Sequence, residues 1–153
     1  MRLYLVQHGE ALSKDVDPER ALSDGGRAAA ERLASFIAPR RLTISRVLQS
    51  GKLRAQQTAT ILARTLAPDI TPEQANGLNP LDDPQSLLRT IASWQEDVLI
   101  VGHLPFLAKL VGQMLTGTND SLVTFEPGTM MCLERDEDRW SVVWVVPPTL
   151  LKS

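Results

Sequence analysis

The chain is short of cysteine, of net charge and of long apolar runs, and each shortage removes a class of protein. Its one cysteine, Cys132, excludes an internal disulfide and a cysteine-based zinc site, and fits a reducing compartment. That thiol reads as a buried apolar group. With 16 basic and 18 acidic residues the formal charge is -2, so nothing draws the whole chain to nucleic acid or to an anionic membrane. Any anion site must be local. No stretch nears the roughly 20 apolar residues that span a bilayer, and Met1 to Val6 lacks the apolar core and small-residue cleavage site of a signal peptide. The expectation is a cytoplasmic protein with neither a nucleic-acid nor a membrane partner.

What is present is the material of one domain, 1–153. A hydrophobic fraction of 43% against 22% charged residues, in 16.9 kDa, suffices for a core without metals or disulfides. Leu3 to Val6 reads as a buried strand ending at His8-Gly9. Ser23 caps a helix expected over Ala28 to Ile37, with Leu33, Phe36 and Ile37 as its apolar positions and Pro39 closing it. Ile44 to Leu48 is a second strand ended by Ser50-Gly51, and Leu53 to Leu66 a second helix. A short third strand starts at Ile70, a helix entered through Pro84 covers Asp82 to Trp94, and Val98 to Val101 is a strand ending at Gly102-His103. Pro105 opens a helix to about Leu115. Met130 to Leu133 and Ser141 to Val146 form an antiparallel hairpin across a charged run, Arg135 to Arg139, read like Arg40-Arg41 as solvated loop. Trp140 and Trp144, four apart, fall on one face of the last strand, where packing rather than ligand stacking is expected. Together these give an α/β fold with a mostly parallel central sheet and helices on both faces.

In such sheets the site lies beyond the carboxyl ends of the strands, where helix amino termini offer free N–H groups to anions. Both histidines of the chain, His8 and His103, fall there, and Arg54 falls in the first turn of a helix starting at the same edge. Taken singly, His8 would be a hydrogen-bonded structural residue, His103 a helix cap and Arg54 a solvated side chain. Their convergence favours function. Two imidazoles and a guanidinium, without a zinc-binding pattern, suit phosphoryl transfer: neutral imidazole is a nucleophile, and guanidinium matches phosphate oxygens with fixed donors. One ring nitrogen of His8 is expected to donate to a nearby carbonyl, leaving the other free to attack.

At these residues the chain resembles the histidine phosphatase superfamily, whose fold is phosphoglycerate mutase-like. Gln7-His8-Gly9 is similar to the family's Arg-His-Gly signature, Ser50 to Thr58 to its Ser-x-x-x-Arg-x-x-x-Thr segment, Val101-Gly102-His103 to its second-histidine motif, and Ser23 to Gly26 to the entry of its first helix. The short length without an inserted lid, and Asn76 to Asp83 with Leu78-Asn79-Pro80, resemble the SixA type of phosphohistidine phosphatase. The resemblance implies His8 as nucleophile, Arg54 as phosphate clamp, His103 as second phosphate ligand, and no metal or organic cofactor.

Position 7 departs from the signature, with glutamine where arginine binds phosphate. Gln7 is either a weaker phosphate ligand or a filler; losing the charge-assisted bond is worth about 1 to 2 kcal/mol, roughly one to two decades in rate. Glu10, the nearest carboxyl in sequence, is a general acid, an orienting group or surface charge. The expected function is hydrolysis of phosphohistidine on a protein, a histidine-containing phosphotransfer or carrier protein, through a phospho-His8 intermediate. An open site admits a phosphorylated side chain standing on another chain. The alternatives are a phosphomonoesterase acting on a small phosphorylated substrate, and a weak phosphate- or partner-binding module.

Overall fold

The computed structural model describes residues 1–152. Their order is β1 (Arg2–Gln7), α1 (Asp24–Ile37), β2 (Arg46–Gln49), α2 (Leu53–Leu66), β3 (Glu73–Gln74), α3 (Pro84–Ile91), β4 (Val98–Gly102), α4 (Phe106–Thr116), β5 (Met130–Asp136) and β6 (Arg139–Val146). The strands form one mixed sheet in the order β3-β2-β4-β1-β5-β6. The first four are parallel, and β5 and β6 add an antiparallel hairpin. The result is a single α/β domain, as expected.

The pleat sorts the strand residues into two cores. Tyr4, Val6, Val47, Leu99 and Val101 point to one face, under Leu33, Ile37, Ala59 and Leu62 of α1 and α2. Leu3, Leu5, Leu48, Val98 and Ile100 point to the other, under Leu87, Ile91, Phe106 and Leu110 of α3 and α4. Strands covered on both sides must be apolar at every position, which is why β4 reads Val-Leu-Ile-Val and is buried throughout. Cys132 is fully buried in this core, where burial pushes its thiol up to about 11.

Several boundaries differ from expectation for identifiable reasons. Helix α1 starts four residues earlier than Ala28, because the Ser23 hydroxyl accepts the Gly26 N–H at 3.0 Å and so caps a turn containing both glycines. Glycine is required at position 26: a Cβ there would stand 2.1 Å from the Glu10 carbonyl oxygen. The third strand is two residues, Glu73–Gln74, while Ile70 lies in a turn, its N–H on the Ala67 carbonyl at 3.0 Å. Helix α3 ends at Ile91 instead of Trp94, because the chain tightens there into three-residue turns, Ser93 N–H on the Thr90 carbonyl and Trp94 N–H on that of Ile91, and the Arg135 guanidinium caps this end on the Ile91 carbonyl at 3.0 Å and on that of Trp94 as well. Arg135 is therefore a strand residue that caps a helix, not solvated loop.

Two packing expectations fail. Phe36 is 42% exposed, with the Arg40 guanidinium 5.4 Å above its ring. Trp140 and Trp144 lie on opposite faces of the sheet, because Cys132 pairs with Trp144 but Leu133 with Val142. The extra residue, Val143, bulges out of β6 and inverts the alternation. Trp144 packs beside Tyr4 under α1 and α2, and Trp140 joins the α3 and α4 side.

Candidate active site

The parallel register of β1 and β4 builds the site. Val6 pairs with Val101 and Gln7 with Gly102, so one further step brings His8 level with His103, both on the α1 and α2 face. Their rings stand 5.0 Å apart, tilted by 50°. The His8 N–H donates to the Gly102 carbonyl at 3.0 Å, which ties the two strand ends together just where the ladder stops.

Each ring is oriented by a short bond. His8 Nδ1 lies 2.7 Å from the Gly9 carbonyl oxygen, and since a carbonyl only accepts, Nδ1 carries the proton and Nε2 keeps its lone pair. His103 Nε2 lies 2.6 Å from the Ser50 hydroxyl, the residue after β2, which leaves Nδ1 as its free nitrogen. Burial comes first among the causes that lower both rings. It outweighs the Gly9 bond and, with the charges of Arg54 and Arg20, brings His8 to about 4. His103 falls to about 3, pushed further by His8, Arg54, Lys52 and Arg20. Both imidazoles are neutral at pH 7, the form a nucleophile requires.

Helix α2 supplies the cation. Arg54 is in its first turn, half-buried, and Thr58 one turn later locks it to the first loop: the Thr58 hydroxyl donates to the Arg54 carbonyl at 2.8 Å and accepts the Gly9 N–H at 3.0 Å. The Ser-x-x-x-Arg-x-x-x-Thr spacing thus has a physical reading. Its serine holds one histidine, its threonine holds the turn after the other, and its arginine lies between them. Burial and the nearby Arg20 charge lower the guanidinium's own affinity for its proton.

Gln7 and Glu10 fare differently. Gln7 is buried at the end of β1, and its Oε1 finds no hydrogen-bond partner among the described residues. Glu10 is exposed, and its carboxylate accepts the Ser23 hydroxyl at 2.8 Å, joining the β1–α1 loop to the start of α1. Four of the five buried side-chain polar atoms without a partner among the described residues belong to this edge: Gln7 Oε1, Arg54 Nε, His103 Nδ1 and Thr129 Oγ1. Buried polar groups are normally paired, so such a cluster is one that water or a ligand completes. Among the described residues, no three His, Cys, Asp or Glu side chains gather as a metal site.

Sequence reasoning missed two residues here. Thr129, fully buried, receives the Gln7 N–H on its carbonyl at 3.1 Å. Arg20, in the β1–α1 loop, places its charge near His8, Arg54 and His103. Neither belongs to the motifs singled out above.

The fold thus sets two neutral imidazoles and an arginine at one sheet edge, among buried polar atoms without protein partners. Residues 3–82 match the sequence profile of the histidine phosphatase superfamily (branch 1), and the chain belongs to that family. It is similar to phosphohistidine phosphatase SixA of Escherichia coli K12, with 25% identity across 99% of this chain and 97% of that one. An uncharacterized protein of Picosynechococcus is 31% identical over 71% of this chain and 70% of its own. Among solved structures, that of the protein histidine phosphatase SixA complexed with tungstate superposes with a TM-score of 0.86 at 26% identity, covering 99% of this chain and all of the other. Among the described residues, no helix is long and apolar enough to cross a membrane.

Proposed function

We propose that the protein is a phosphohistidine phosphatase acting on a phosphorylated protein, and that His8 carries the phosphoryl group between substrate and water. The observation that carries this reading is the His8 ring: neutral, its Nδ1 committed to the Gly9 carbonyl, its Nε2 lone pair beside His103. In the first step Nε2 forms a bond to phosphorus as the phosphorus–nitrogen bond of the substrate breaks, and the departing imidazole takes a proton from solvent, which the second step returns. In the second, water attacks phospho-His8 and releases inorganic phosphate, restoring the neutral ring. Arg54, with the free nitrogen of His103, holds the equatorial oxygens, where preorganised donors stabilise spreading charge best. The Gln7 amide adds a neutral donor, since a half turn of the amide presents its NH2.

The leaving imidazole of a phosphohistidine departs more readily than an alkoxide, so this chemistry makes little demand on a general acid. Glu10 then serves best as an anchor, its carboxylate on Ser23. Support for a protein substrate comes from the similar SixA structure, named a protein histidine phosphatase, and from the near-complete mutual coverage of the two chains, which leaves no large insertion in one that the other lacks. Tungstate, which that family member binds, is a tetrahedral dianion like phosphate.

The test is release of phosphate from a phosphohistidine protein and from p-nitrophenyl phosphate, by wild type and His8→Ala, with acid-labile phosphoenzyme trapped in parallel. We expect turnover of the protein substrate, a trapped phosphoenzyme, and loss of at least about a thousandfold in His8→Ala. Preference for the small ester would move the protein to the phosphomonoesterases. Inert wild type with an active Gln7→Arg variant would make it a phosphate-binding relative that has lost its chemistry.

A further inference from the structure

Removing the arginine from the signature motif should leave a phosphatase site short of positive charge, yet the cleft beside Arg54 is rich in it. This space of about 460 Å³ is lined by Lys14, Arg20, Lys52 and Arg54, with Glu19 as its acid member. Arg20 is the unusual one. Its backbone has φ of +55°, a conformation that side chains other than glycine and asparagine seldom adopt. A network holds it there. Asp17 accepts the Arg20 N–H on its carbonyl at 2.9 Å and the Glu19 and Ala21 N–H groups on its carboxylate at 3.1 and 2.9 Å. The next residue, Leu22, is tied to helix α2 by the Gln57 amide oxygen at 2.7 Å.

The guanidinium is equally constrained. Nε donates to the Leu12 carbonyl at 3.0 Å, fixing the plane of the fork and leaving the terminal nitrogens for another acceptor. Although Asp15, Asp17 and Glu19 are its neighbours in sequence, no carboxylate pairs with Arg20: the salt bridges among the described residues are Arg2 to Glu134 and Arg46 to Glu73. Two unpaired guanidiniums facing one cleft repel each other, and a bound dianion removes that repulsion. The Arg20 charge also reaches both histidines, acting to lower each.

We propose that Arg20 contacts the transferring phosphoryl group and supplies the cationic bond that Gln7 cannot. This rests on the phosphatase reading and adds a residue to it. The β1–α1 loop then takes over a task that the family signature assigns to the strand end.

Inorganic phosphate binding, measured by calorimetry on wild type, Gln7→Arg, Arg20→Gly and the double variant, tests this. Glycine suits the positive φ, so Arg20→Gly removes the side chain without straining the loop; Arg20→Asn serves as a second backbone-compatible variant. We expect Arg20→Gly and Arg20→Asn to weaken phosphate binding about ten- to a hundredfold, the range for losing a charge-assisted bond. Gln7→Arg should gain no more than about threefold in wild type, but about tenfold or more in Arg20→Gly, because only there does it restore a missing charge. Binding unchanged in both position-20 variants, or an equal gain from Gln7→Arg in both backgrounds, overturns the proposal. If wild type binds phosphate and His8→Ala is inert while Arg20→Gly binds normally, this inference alone falls; if wild type neither binds nor releases phosphate, the phosphatase reading falls with it.

Discussion

Two half-buried arginines at opposite edges of the sheet differ in how far the fold uses their guanidiniums. Arg135, on β5, spends its guanidinium on the carbonyls of Ile91 and Trp94 and covers the Trp140 ring at 5.6 Å. Arg54, on α2, has an Nε with no partner among the described residues, beside two histidines each with one ring nitrogen uncommitted. Hollow volume does not distinguish the regions: the depression lined by Met1, Ile91, Arg135 and Trp140 holds about 390 Å³, much like the cleft at Arg54. Hydrogen-bond accounting does. At the hairpin the arginine finishes the fold, whereas at the strand ends buried polar atoms have no partner among the described residues.

The sharpest way to break this comparison is to remove each charge. Arg54→Gln should lower turnover of a phosphohistidine substrate by two to three decades, about 3 to 4 kcal/mol in the transition state. Its melting temperature should be unchanged or slightly raised, because the Nε of this half-buried side chain is buried without a partner among the described residues. Equal losses of activity and stability would mean that Arg54 is structural after all.

A second test uses pH. Both His8 and His103 titrate well below the ordinary histidine value, at about 4 and about 3, so the folded protein refuses protons that the unfolded chain accepts below about 6.5. Stability is therefore full above pH 6.5 and falls as pH drops toward 4, by on the order of 2 kcal/mol for each ring at pH 5. Urea unfolding at pH 7.5 and 5 measures it. The loss should shrink by about half in His103→Gln, and a loss as large as that of wild type would remove the linkage. At the hairpin, Arg135→Leu should destabilise by about 1 to 3 kcal/mol, since two hydrogen bonds are lost and only the Ile91 carbonyl keeps another donor, the Trp94 N–H, while turnover per folded molecule stays at the wild-type value.

The same contrast explains what could be read from the sequence. The site was legible where it depends on local signals: apolar strands that stop at His8-Gly9 and Gly102-His103, and a helix whose first turn carries Arg54. Strand parity then forces the two histidines together, whatever the loops do. Arg20 was not legible, because only the fold of the β1–α1 loop turns an ordinary charged residue toward the cleft. Arg135 misled for the converse reason, since a charged residue before a turn looks solvated until a helix end is packed beneath it. The bulge at Val143 depends on the pairing of two strands and has no signature along one. Nor do two glycines in a row suggest a helix start, until the Glu10 backbone is seen to press against the second.

The smallest expected effect lies on α1, where helical spacing groups Leu33, Phe36 and Ile37 but burial separates them. The stripe facing the sheet is Ala30, Leu33, Ala34 and Ile37, and Phe36 sits about 100° from its centre, on the helix flank. Phe36 is 42% exposed, and its ring lies under the Arg40 guanidinium. Phe36→Ala should therefore destabilise by less than about 1 kcal/mol, against about 2 to 5 kcal/mol for Leu33→Ala one turn earlier, whose side chain is 1% exposed. Because neither residue touches the site, phosphate release per folded molecule should be the same in both. A Phe36 variant as damaging as the Leu33 variant would show that the ring is covered in solution, and that the flank of α1 is part of a buried surface.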